Sequence, residues 1–579
     1  MPPLKAFMDD TTIICSKEEE TRRMLARLDT LMAWCRMKFK PKKSRSLSIR
    51  KGKIEEAVTF TVAEQQIPTV SQERVKSLGR WYDSSMKDTR RGVETVQFAS
   101  EGLLAINKCG IQGKFKVWCL QFMLIPKLLW PLLVYDICCS TVESIEATIN
   151  KYTRKWLGVP PGLSDVAMYC RKAKLKLPMK SILEEYKCGK VRLVTMLEES
   201  DDPVVKTVQP SIKTGRKWKV AEAIDEAKEC LRLKEVIGQT QTDRKGLGSS
   251  SAKWWSKTED KEKRDMVIDE VRQREDVRRI QKAVQQPQQG QWTNWDSAMQ
   301  RSLTWKDIWQ MAPLRISFLI RSVYDLLPSN ANLVRWGKKD DPTCPLCHGR
   351  QTTEHVLSSC KVALSQGRYT WRHNRVLQEL ASVISTAKGQ SNPPSPSFTI
   401  FTTEGGARKW CGRSNTASNQ RKGLLDGCDD WEVSADLPEW DKHPEVIRRT
   451  TLRPDIVIYS PSTQQVIMVE LTVPYESRME QAHTYKKEKY LDLTKELEES
   501  GYRAKIMPTI EIGARGFAGS SAYDLLSKLS ISGNKRTKAL KLLAETAENS
   551  SRWIWCRRNE QLLHNEEKYS NPRELSWLK

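Results

Sequence analysis

Two acidic residues with a defined spacing are the strongest candidates for chemistry in this chain. Asp455 precedes the apolar run 456–459, which predicts a strand, and Glu470 lies inside a second predicted strand at 466–473. Carboxylates on neighbouring strands can hold a divalent cation, which activates water and stabilises charge on a phosphate. The sequence therefore predicts that Asp455 and Glu470 bind Mg²⁺ at a catalytic site.

A lysine from the helix that follows could complete this site. The apolar stripe of the predicted helix consists of Met479, Ala482, Tyr490, Leu493 and Leu497. Lys486 falls within the stripe, and Lys489 lies one turn away on nearly the same side. Either lysine could orient the water or offset developing negative charge, and the pattern alone does not choose between them. A further apolar segment, 504–512, predicts a third strand.

Each of these residues also has an ordinary structural explanation. An acid at the start of a strand is usually a solvated cap, and a lysine on an amphipathic helix usually extends its charge into water. Glu470 is harder to explain in this way, because it interrupts a run with the composition of a buried strand and buried acids need partners. Asp436 could serve as an accessory acid.

The spacing resembles that of the PD-(D/E)xK nucleases. Pro454 and Asp455 are separated by fourteen residues from Glu470, but Thr472 stands where the simple pattern has lysine. A lysine displaced to the following helix is the variant found in restriction-like endonucleases of non-LTR (LINE-like) retrotransposons. Further segments resemble that group, namely 470–476, 486–490 and 513–517, the last of which contains Arg515. The resemblance implies a DNA-nicking enzyme.

A second cluster has metal-ligand spacing. Cys344, Cys347, His355 and Cys360 follow the pattern C-x2-C-x7-H-x4-C. Three thiolates and one imidazole form a closed tetrahedral site for structural Zn²⁺, and His348 is the weaker alternative ligand. The sequence leaves open whether this zinc knuckle faces nucleic acid or staples two parts of the chain together.

The N-terminal segment contains an acidic pair in a predicted hairpin. Asp9 and Asp10 lie between short apolar runs, and Ser16 with Glu19 predicts a capping box for the helix that follows. A basic turn and the segment 77–81 come next. This order resembles the end of a reverse transcriptase: the F-x-D-D hairpin, a helix, a lysine-bearing segment and the primer grip.

That resemblance implies that Asp9 and Asp10 are polymerase carboxylates. Polymerase chemistry also needs a third carboxylate and nucleotide-binding strands upstream, and only six residues precede Phe7. We therefore expect an incomplete palm, loss of reverse-transcriptase activity, and a 5′-truncated polyprotein.

Charge and composition favour a polyanion partner. The formal net charge is +25 over 579 residues, and 20 tryptophans add stacking surfaces. Helices predicted at 95–200 resemble a polymerase thumb, which would grip a duplex through its backbone. Five basic residues are predicted to contact nucleic acid. Lys42 and Lys43 lie in the basic turn, and Arg515 lies in the 513–517 motif. Arg315 and Arg321 lie in a linker segment that resembles those preceding zinc knuckles in these retroelements.

Cysteine usage and hydropathy bear on the compartment. The 15 cysteines follow no disulfide framework, so we expect mostly reduced thiols in an intracellular protein that acts in the nucleus or otherwise in the cytoplasm. The most apolar window, 117–139, contains Gln121, Lys127 and Asp136. These polar residues favour a buried helix pair and no membrane partner.

Together these features predict a multidomain α+β protein, since the chain is too long for one core. The predicted segments are a partial reverse-transcriptase palm (1–90), a helical thumb (91–200), a helical linker (201–340), the zinc knuckle with its following helix (341–387), an α/β PD-(D/E)xK-like nuclease (398–535), and a basic C-terminal helix and tail (536–579). The implied activity is DNA nicking related to target-primed reverse transcription. Its partners would be a DNA target and retroelement RNA or an RNA–DNA duplex. The alternative is a non-catalytic, nucleic-acid-binding remnant whose acids bind no metal.

Overall fold

The computed structural model describes most of the chain. The described residues are 4–8, 10–85, 88–208, 211–237, 239–243, 246–250, 255–388, 424–425, 430–448, 452–506 and 509–561. Asp9 and the start of the predicted nuclease segment at 398 therefore lie outside the described residues. The side chain of Lys489 also lies outside them.

Strands are short and form small sheets. In chain order they are β1 (Leu4–Phe7), β2 (Asp10–Ile13), β3 (Ile49–Arg50), β4 (Lys53–Ile54), β5 (Phe60–Val62), β6 (Gln65–Ile67), β7 (Val75–Ser77), β8 (Arg80–Tyr82), β9 (Leu175–Lys176), β10 (Gln239–Asp243), β11 (Gly246–Ser250), β12 (Arg301–Ser302), β13 (Glu432–Ala435), β14 (Ile456–Ser460), β15 (Gln465–Val469), β16 (Leu471–Thr472), β17 (Arg503–Ile506) and β18 (Ile510–Glu511).

Helices make up most of the remaining structure. In chain order they are α1 (Glu18–Trp34), α2 (Thr89–Lys108), α3 (Gly113–Cys119), α4 (Ile125–Val134), α5 (Cys139–Leu157), α6 (Val166–Tyr169), α7 (Ile182–Glu198), α8 (Pro203–Val208), α9 (Val220–Ile237), α10 (Asp260–Val284), α11 (Trp305–Gln310), α12 (Pro313–Val323), α13 (Asn330–Arg335), α14 (Lys361–Ser365), α15 (Arg368–Lys388), α16 (Glu445–Arg448), α17 (Met479–Lys489), α18 (Leu491–Glu499), α19 (Ser520–Lys528) and α20 (Gly533–Cys556).

The chain forms two compact units, each built from several stretches of sequence. The first unit comprises Met1–Leu104, Leu124–Glu146 and Glu185–Ile268, and the second comprises Ala105–Met123, Ala147–Glu184 and Asp269–Lys579. The predicted segments 91–200 and 201–340 therefore each contribute to both units. The zinc cluster and the acidic site both belong to the second unit.

The first unit contains the N-terminal hairpin. Strands β1 and β2 are antiparallel, with Phe7 opposite Asp10. Helix α1 begins at Glu18, and Lys17 occupies its N-cap without a side-chain hydrogen bond. The predicted Ser16–Glu19 capping box is therefore wrong. The Ser16 hydroxyl instead donates to the carboxylate of Glu20, one turn after Ser16, at 3.4 Å.

A four-stranded sheet in the second unit carries the predicted acids. Its order is β13-β14-β15-β17, with antiparallel pairing up to β15 and parallel pairing between β15 and β17. Strands β16 and β18 form a separate parallel pair. Both predicted longer strands are thus divided: 466–473 is interrupted at Glu470, and 504–512 is interrupted between β17 and β18.

Helices cover both faces of this sheet. Because side chains alternate along a strand, successive residues of β14 pack into different cores. The first core joins the sheet to α15, α19 and α20 and includes Ile456, Ile458, Ile467, Val469, Leu377, Leu380, Ile384, Leu525 and Leu543. The second core joins the sheet to α18 and includes Val457, Val466, Met468, Tyr490, Leu493 and Leu497. This layering brings α15 and α17 to the sheet edge where the acids lie.

The predicted helix over 479–497 is two helices. It breaks at Tyr490, which follows α17 and precedes α18. Met479, Tyr490, Leu493 and Leu497 are nevertheless all buried, as the stripe predicts. The Tyr490 hydroxyl donates to the Arg453 carbonyl at 2.9 Å, which ties the break to the segment leading into β14.

One helical stretch is long and apolar enough to cross a membrane by length and composition alone. It spans Gly113–Val134, and core helices of soluble proteins pass the same test. Val117, Leu120, Leu128 and Leu132 along it are buried in the protein. The finding is therefore weak evidence for a membrane span.

Candidate nuclease and zinc sites

Asp455 and Glu470 meet at one edge of the sheet. Asp455 immediately precedes β14 and Glu470 immediately follows β15, and the antiparallel register places Ile456 opposite Val469. The Asp455 amide donates to Glu470 Oε2 at 3.2 Å, and the Leu471 amide donates to Asp455 Oδ2 at 2.8 Å. The hairpin of β14 and β15 therefore fixes the two carboxylates next to each other.

Lys486 reaches this pair from α17. Its ammonium nitrogen Nζ donates to Glu470 Oε1 and forms an ion pair with it. Burial raises the pKa of Glu470, and the nearby charge of Asp455 raises it further, whereas Lys486 acts in the opposite direction. Additional positive charge is therefore favourable at this site, and the ammonium of Lys486 supplies part of that charge.

The donor set fits a hard divalent cation. Carboxylate and carbonyl oxygens are the ligands that such cations prefer. Asp455 and Glu470 offer carboxylates, and the side chain of Asp455 retains 14% of its exposure while that of Glu470 retains 4%. Asp436 lies nearby, since its amide donates to the Asp455 carbonyl at 3.0 Å, but its side chain is exposed. Its accessory role stays a prediction.

Sequence reasoning missed a histidine at the same edge. His373 Nε2 lies 3.3 Å from Asp455 Oδ2 and 3.2 Å from the Leu471 carbonyl oxygen. His373 shares a face of α15 with the buried Leu377 and Leu380, at helical spacing. The helical spacing of His373, Leu377 and Leu380 is visible in the sequence. No local sequence pattern, however, relates α15 to β14, which begins 83 residues after His373 at Ile456.

A second histidine lies on α17, one turn before Lys486. His483 Nδ1 lies 2.5 Å from Glu511 Oε1, and the Ser521 hydroxyl donates to the other oxygen of that carboxylate. Glu511 is buried and stands opposite Thr472 in the pairing of β16 with β18. The position where the simple nuclease pattern has lysine is thus adjacent to a buried acid. His483 and Glu511 have no role among the sequence-based predictions.

Arg515 is a structural residue and is not available for contact with nucleic acid. Its side chain is fully buried, and its Nε pairs with Glu476 Oε2 at 2.5 Å. The guanidinium lies between the rings of Trp295 and Tyr475, 3.9 Å from each centroid. A Cβ at Gly513 would lie 2.5 Å from Glu476 Oε1. The glycine of this motif therefore makes room for the ion pair.

Arg315 is likewise structural. Its guanidinium binds both oxygens of the fully buried Glu548, each at 2.9 Å, and Arg301 contacts the same carboxylate at 2.7 Å. Arg321 donates to the Gly158 carbonyl at 3.1 Å, just beyond the C-terminus of α5. Arg315 thus serves internal ion pairing, whereas Arg321 keeps part of its side chain exposed, and its contact with nucleic acid stays a prediction.

In the first unit, the basic turn and the acidic hairpin are accessible. Lys42 and Lys43 are exposed within the short 3-10 segment Pro41–Lys43. Asp10 is exposed at the start of β2. A role of these residues in binding or catalysis stays a prediction, and Asp9 is outside the described residues.

The four predicted zinc ligands converge. One ligand atom from each of Cys344, Cys347, His355 and Cys360 lies within 4.8 Å of all the others. Burial lowers the pKa of His355, which favours the neutral imidazole that can bind a metal. His348 has a left-handed backbone (φ 58°) at the turn and lies outside this four-residue group.

The residues around the cluster join it to the rest of the second unit. Val356 and Leu357 pack in one apolar core with Phe318, Tyr475 and Trp555. Polar contacts also join the knuckle to neighbouring segments. Arg478 pairs with Glu354 at 2.6 Å, and Gln351 Nε2 donates to Asn559 at 3.2 Å. Arg372 donates to the Leu357 carbonyl at 2.7 Å and to the Val473 carbonyl at 3.0 Å. This packing favours the staple over the nucleic-acid-facing alternative.

This part of the chain is similar to a known protein family. Residues 289–366 match a family model described as zinc-binding in reverse transcriptase, and the match includes all four zinc ligands. No curated protein matches the chain. The match and the converged ligands together indicate a protein related to retroelement reverse transcriptases, with structural zinc at the cysteine and histidine cluster.

Proposed function

We propose that this chain is the polyprotein of a non-LTR retrotransposon and that its second unit contains a metal-dependent endonuclease that nicks DNA. The observation that carries this proposal is the convergence of Asp455, Glu470 and Lys486 at one edge of a sheet. Buried acids and a lysine that pair with one another are also found at purely structural positions. Here the residues lie at an edge that remains partly accessible.

The chemistry follows from the types of side chain present. Asp455 and Glu470 would bind a divalent cation such as Mg²⁺ through carboxylate oxygens. When bound, that cation would activate a water molecule and stabilise charge on the scissile phosphate. Lys486 would offset the negative charge that develops during attack, because its ammonium is already held at the site by Glu470.

The remainder of the chain would bring nucleic acid to this site. A net charge of +25 favours binding of DNA and of retroelement RNA or an RNA–DNA duplex. The match to a zinc-binding segment of reverse transcriptases supports a link to target-primed reverse transcription, in which a nicked DNA end primes synthesis. The hairpins β1–β2 and β7–β8 contain the segments that resemble polymerase motifs.

A plasmid assay tests the nuclease directly. The purified, zinc-loaded chain should convert supercoiled plasmid to the open circular form in the presence of Mg²⁺ or Mn²⁺, and EDTA should stop the reaction. DNA binding without open circular product under either metal would instead support a non-catalytic binding remnant.

A further inference from the structure

His373 completes a group of three electron-pair donors at the nuclease site. Its Nε2 lies 3.3 Å from Asp455 Oδ2 and 3.2 Å from the Leu471 carbonyl oxygen. Ligands about 2.1 Å from a cation in octahedral geometry are about 3.0 Å from their neighbours. The two distances from His373 Nε2 are thus close to those between atoms that share one cation.

The other ring nitrogen can keep its proton when a cation binds. His373 Nδ1 lies 3.2 Å from Asn374 Oδ1, an acceptor for a proton on Nδ1. Nε2 also faces acceptors, Asp455 Oδ2 and the Leu471 carbonyl oxygen, so a cation bound at Nε2 would take the place of a proton there while Nδ1–H donates to Asn374. A hydrogen bond of this kind, made by the outer nitrogen, orients metal-binding histidines in general.

The Leu471 carbonyl is available because of the pairing of β16. The carbonyls of Glu470 and Thr472 accept from the amides of Ile510 and Ile512 in β18, at 2.7 and 3.0 Å. Carbonyls alternate in direction along a strand, so that of Leu471 is directed away from β18. It meets His373 there.

We propose that His373 is a third side-chain ligand of the nuclease cation and that its nitrogen shifts the site towards Mn²⁺ relative to Mg²⁺. This inference rests on the proposed nuclease function. Mg²⁺ favours oxygen ligands and exchanges its waters reluctantly, whereas imidazole suits transition metals better. A site with two carboxylates, one carbonyl and one imidazole therefore discriminates in favour of Mn²⁺.

Binding measurements test the role of His373 without relying on activity. The zinc site of the full chain is first saturated, and Mn²⁺ is then titrated while free Mn²⁺ is followed by electron paramagnetic resonance. His373→Asn should weaken Mn²⁺ binding by about tenfold or more and should remove the ¹⁴N coupling from the pulsed spectrum. His373→Asp should restore affinity through oxygen, without nitrogen coupling and with a lower Mn²⁺/Mg²⁺ affinity ratio.

A matched variant controls for loss of a histidine. His483→Asn removes an imidazole that contacts Glu511, so it should leave Mn²⁺ affinity and nitrogen coupling unchanged. Unchanged or tighter Mn²⁺ binding by His373→Asn would overturn the inference, and tighter binding would show that the imidazole competes with the cation.

Asp455→Asn distinguishes failure of the His373 role from failure of the proposed nuclease function. If this variant loses Mn²⁺ binding while His373→Asn keeps it, the site is real and only the role of His373 is wrong. If parent and Asp455→Asn bind Mn²⁺ equally, the carboxylates do not form a metal site and the proposed function fails as well. Retained zinc in each variant shows that the second unit is folded.

Discussion

The amide of Asp455 donates a hydrogen bond to Oε2 of Glu470 across 3.2 Å, although fifteen positions separate the two residues in sequence. The hairpin between them holds both carboxylates in place. Because Glu470 is buried and its pKa is raised by burial and by the charge of Asp455, the arrangement favours any positive charge brought to it.

Lys486 should contribute more to rate than to affinity. Lys486→Met keeps the length of the side chain but removes the charge beside Glu470, so nicking should slow by about a hundredfold while DNA affinity changes little. Single-turnover nicking and filter binding measure the two quantities. Lys495→Met is the control, since Lys495 is largely exposed on α18 and its loss should affect neither. Nicking by Lys486→Met at the parental rate would contradict the role of Lys486 and favour Lys489 as the catalytic lysine.

Zinc should hold the second unit together. Purified protein should contain one zinc per chain, and Cys347→Ser should lose it, whereas Cys35→Ser, at an exposed cysteine in the first unit, should retain it. Loss of zinc should increase hydrogen exchange around Tyr475 and Trp555, because the knuckle residues Val356 and Leu357 pack against them. Exchange confined to the knuckle itself would argue against the staple.

Lys42 and Lys43 should contribute to nucleic-acid binding through phosphates. Replacing both with alanine should weaken binding to all sequences alike and reduce the slope of log affinity against log salt by about 2. The double variant of Lys51 and Lys53, two exposed residues of the first unit, removes the same charge elsewhere. An equal effect of the two double variants would show that only net charge matters.

Glu548 should stabilise the second unit in a pH-dependent way. Burial would raise the pKa of Glu548, but Arg301 and Arg315 outweigh it and lower the pKa below its ordinary value of 4.5. Its contribution to stability is therefore complete above about pH 4.5 and is lost as pH falls through the lowered pKa. Glu548→Gln leaves two arginines without their partner and should cost about 3–5 kcal/mol at pH 7.

Calorimetry at several pH values measures that cost. The difference between parent and Glu548→Gln should be constant from pH 7 to about 4.5 and should narrow below it. Glu545→Gln, a more exposed neighbour 3.7 Å from Arg315, should cost much less. A difference that grows on acidification would contradict the lowered pKa.

Local patterns predicted some features of the site and long-range contacts determined the others. Asp455 and Glu470 could be located because strand period and a short hairpin are visible in sequence, and the zinc ligands because their spacing is local. His373 lies 82 positions from Asp455, and no pattern within α15 indicates which strand it meets. Arg515 sits in a glycine-flanked segment typical of a surface loop, yet a pairing with Glu476 39 positions away buries it.

Conservative variants of the two acids test the proposed nuclease site most directly. Asp455→Asn and Glu470→Gln preserve shape but remove the charge that would bind a cation. Both should abolish metal-dependent nicking of supercoiled plasmid while DNA affinity stays equal or rises slightly, and Asp492→Asn, an exposed acid on α18, should nick at the parental rate. Nicking by Asp455→Asn as fast as by the parent chain would contradict the assignment of this site.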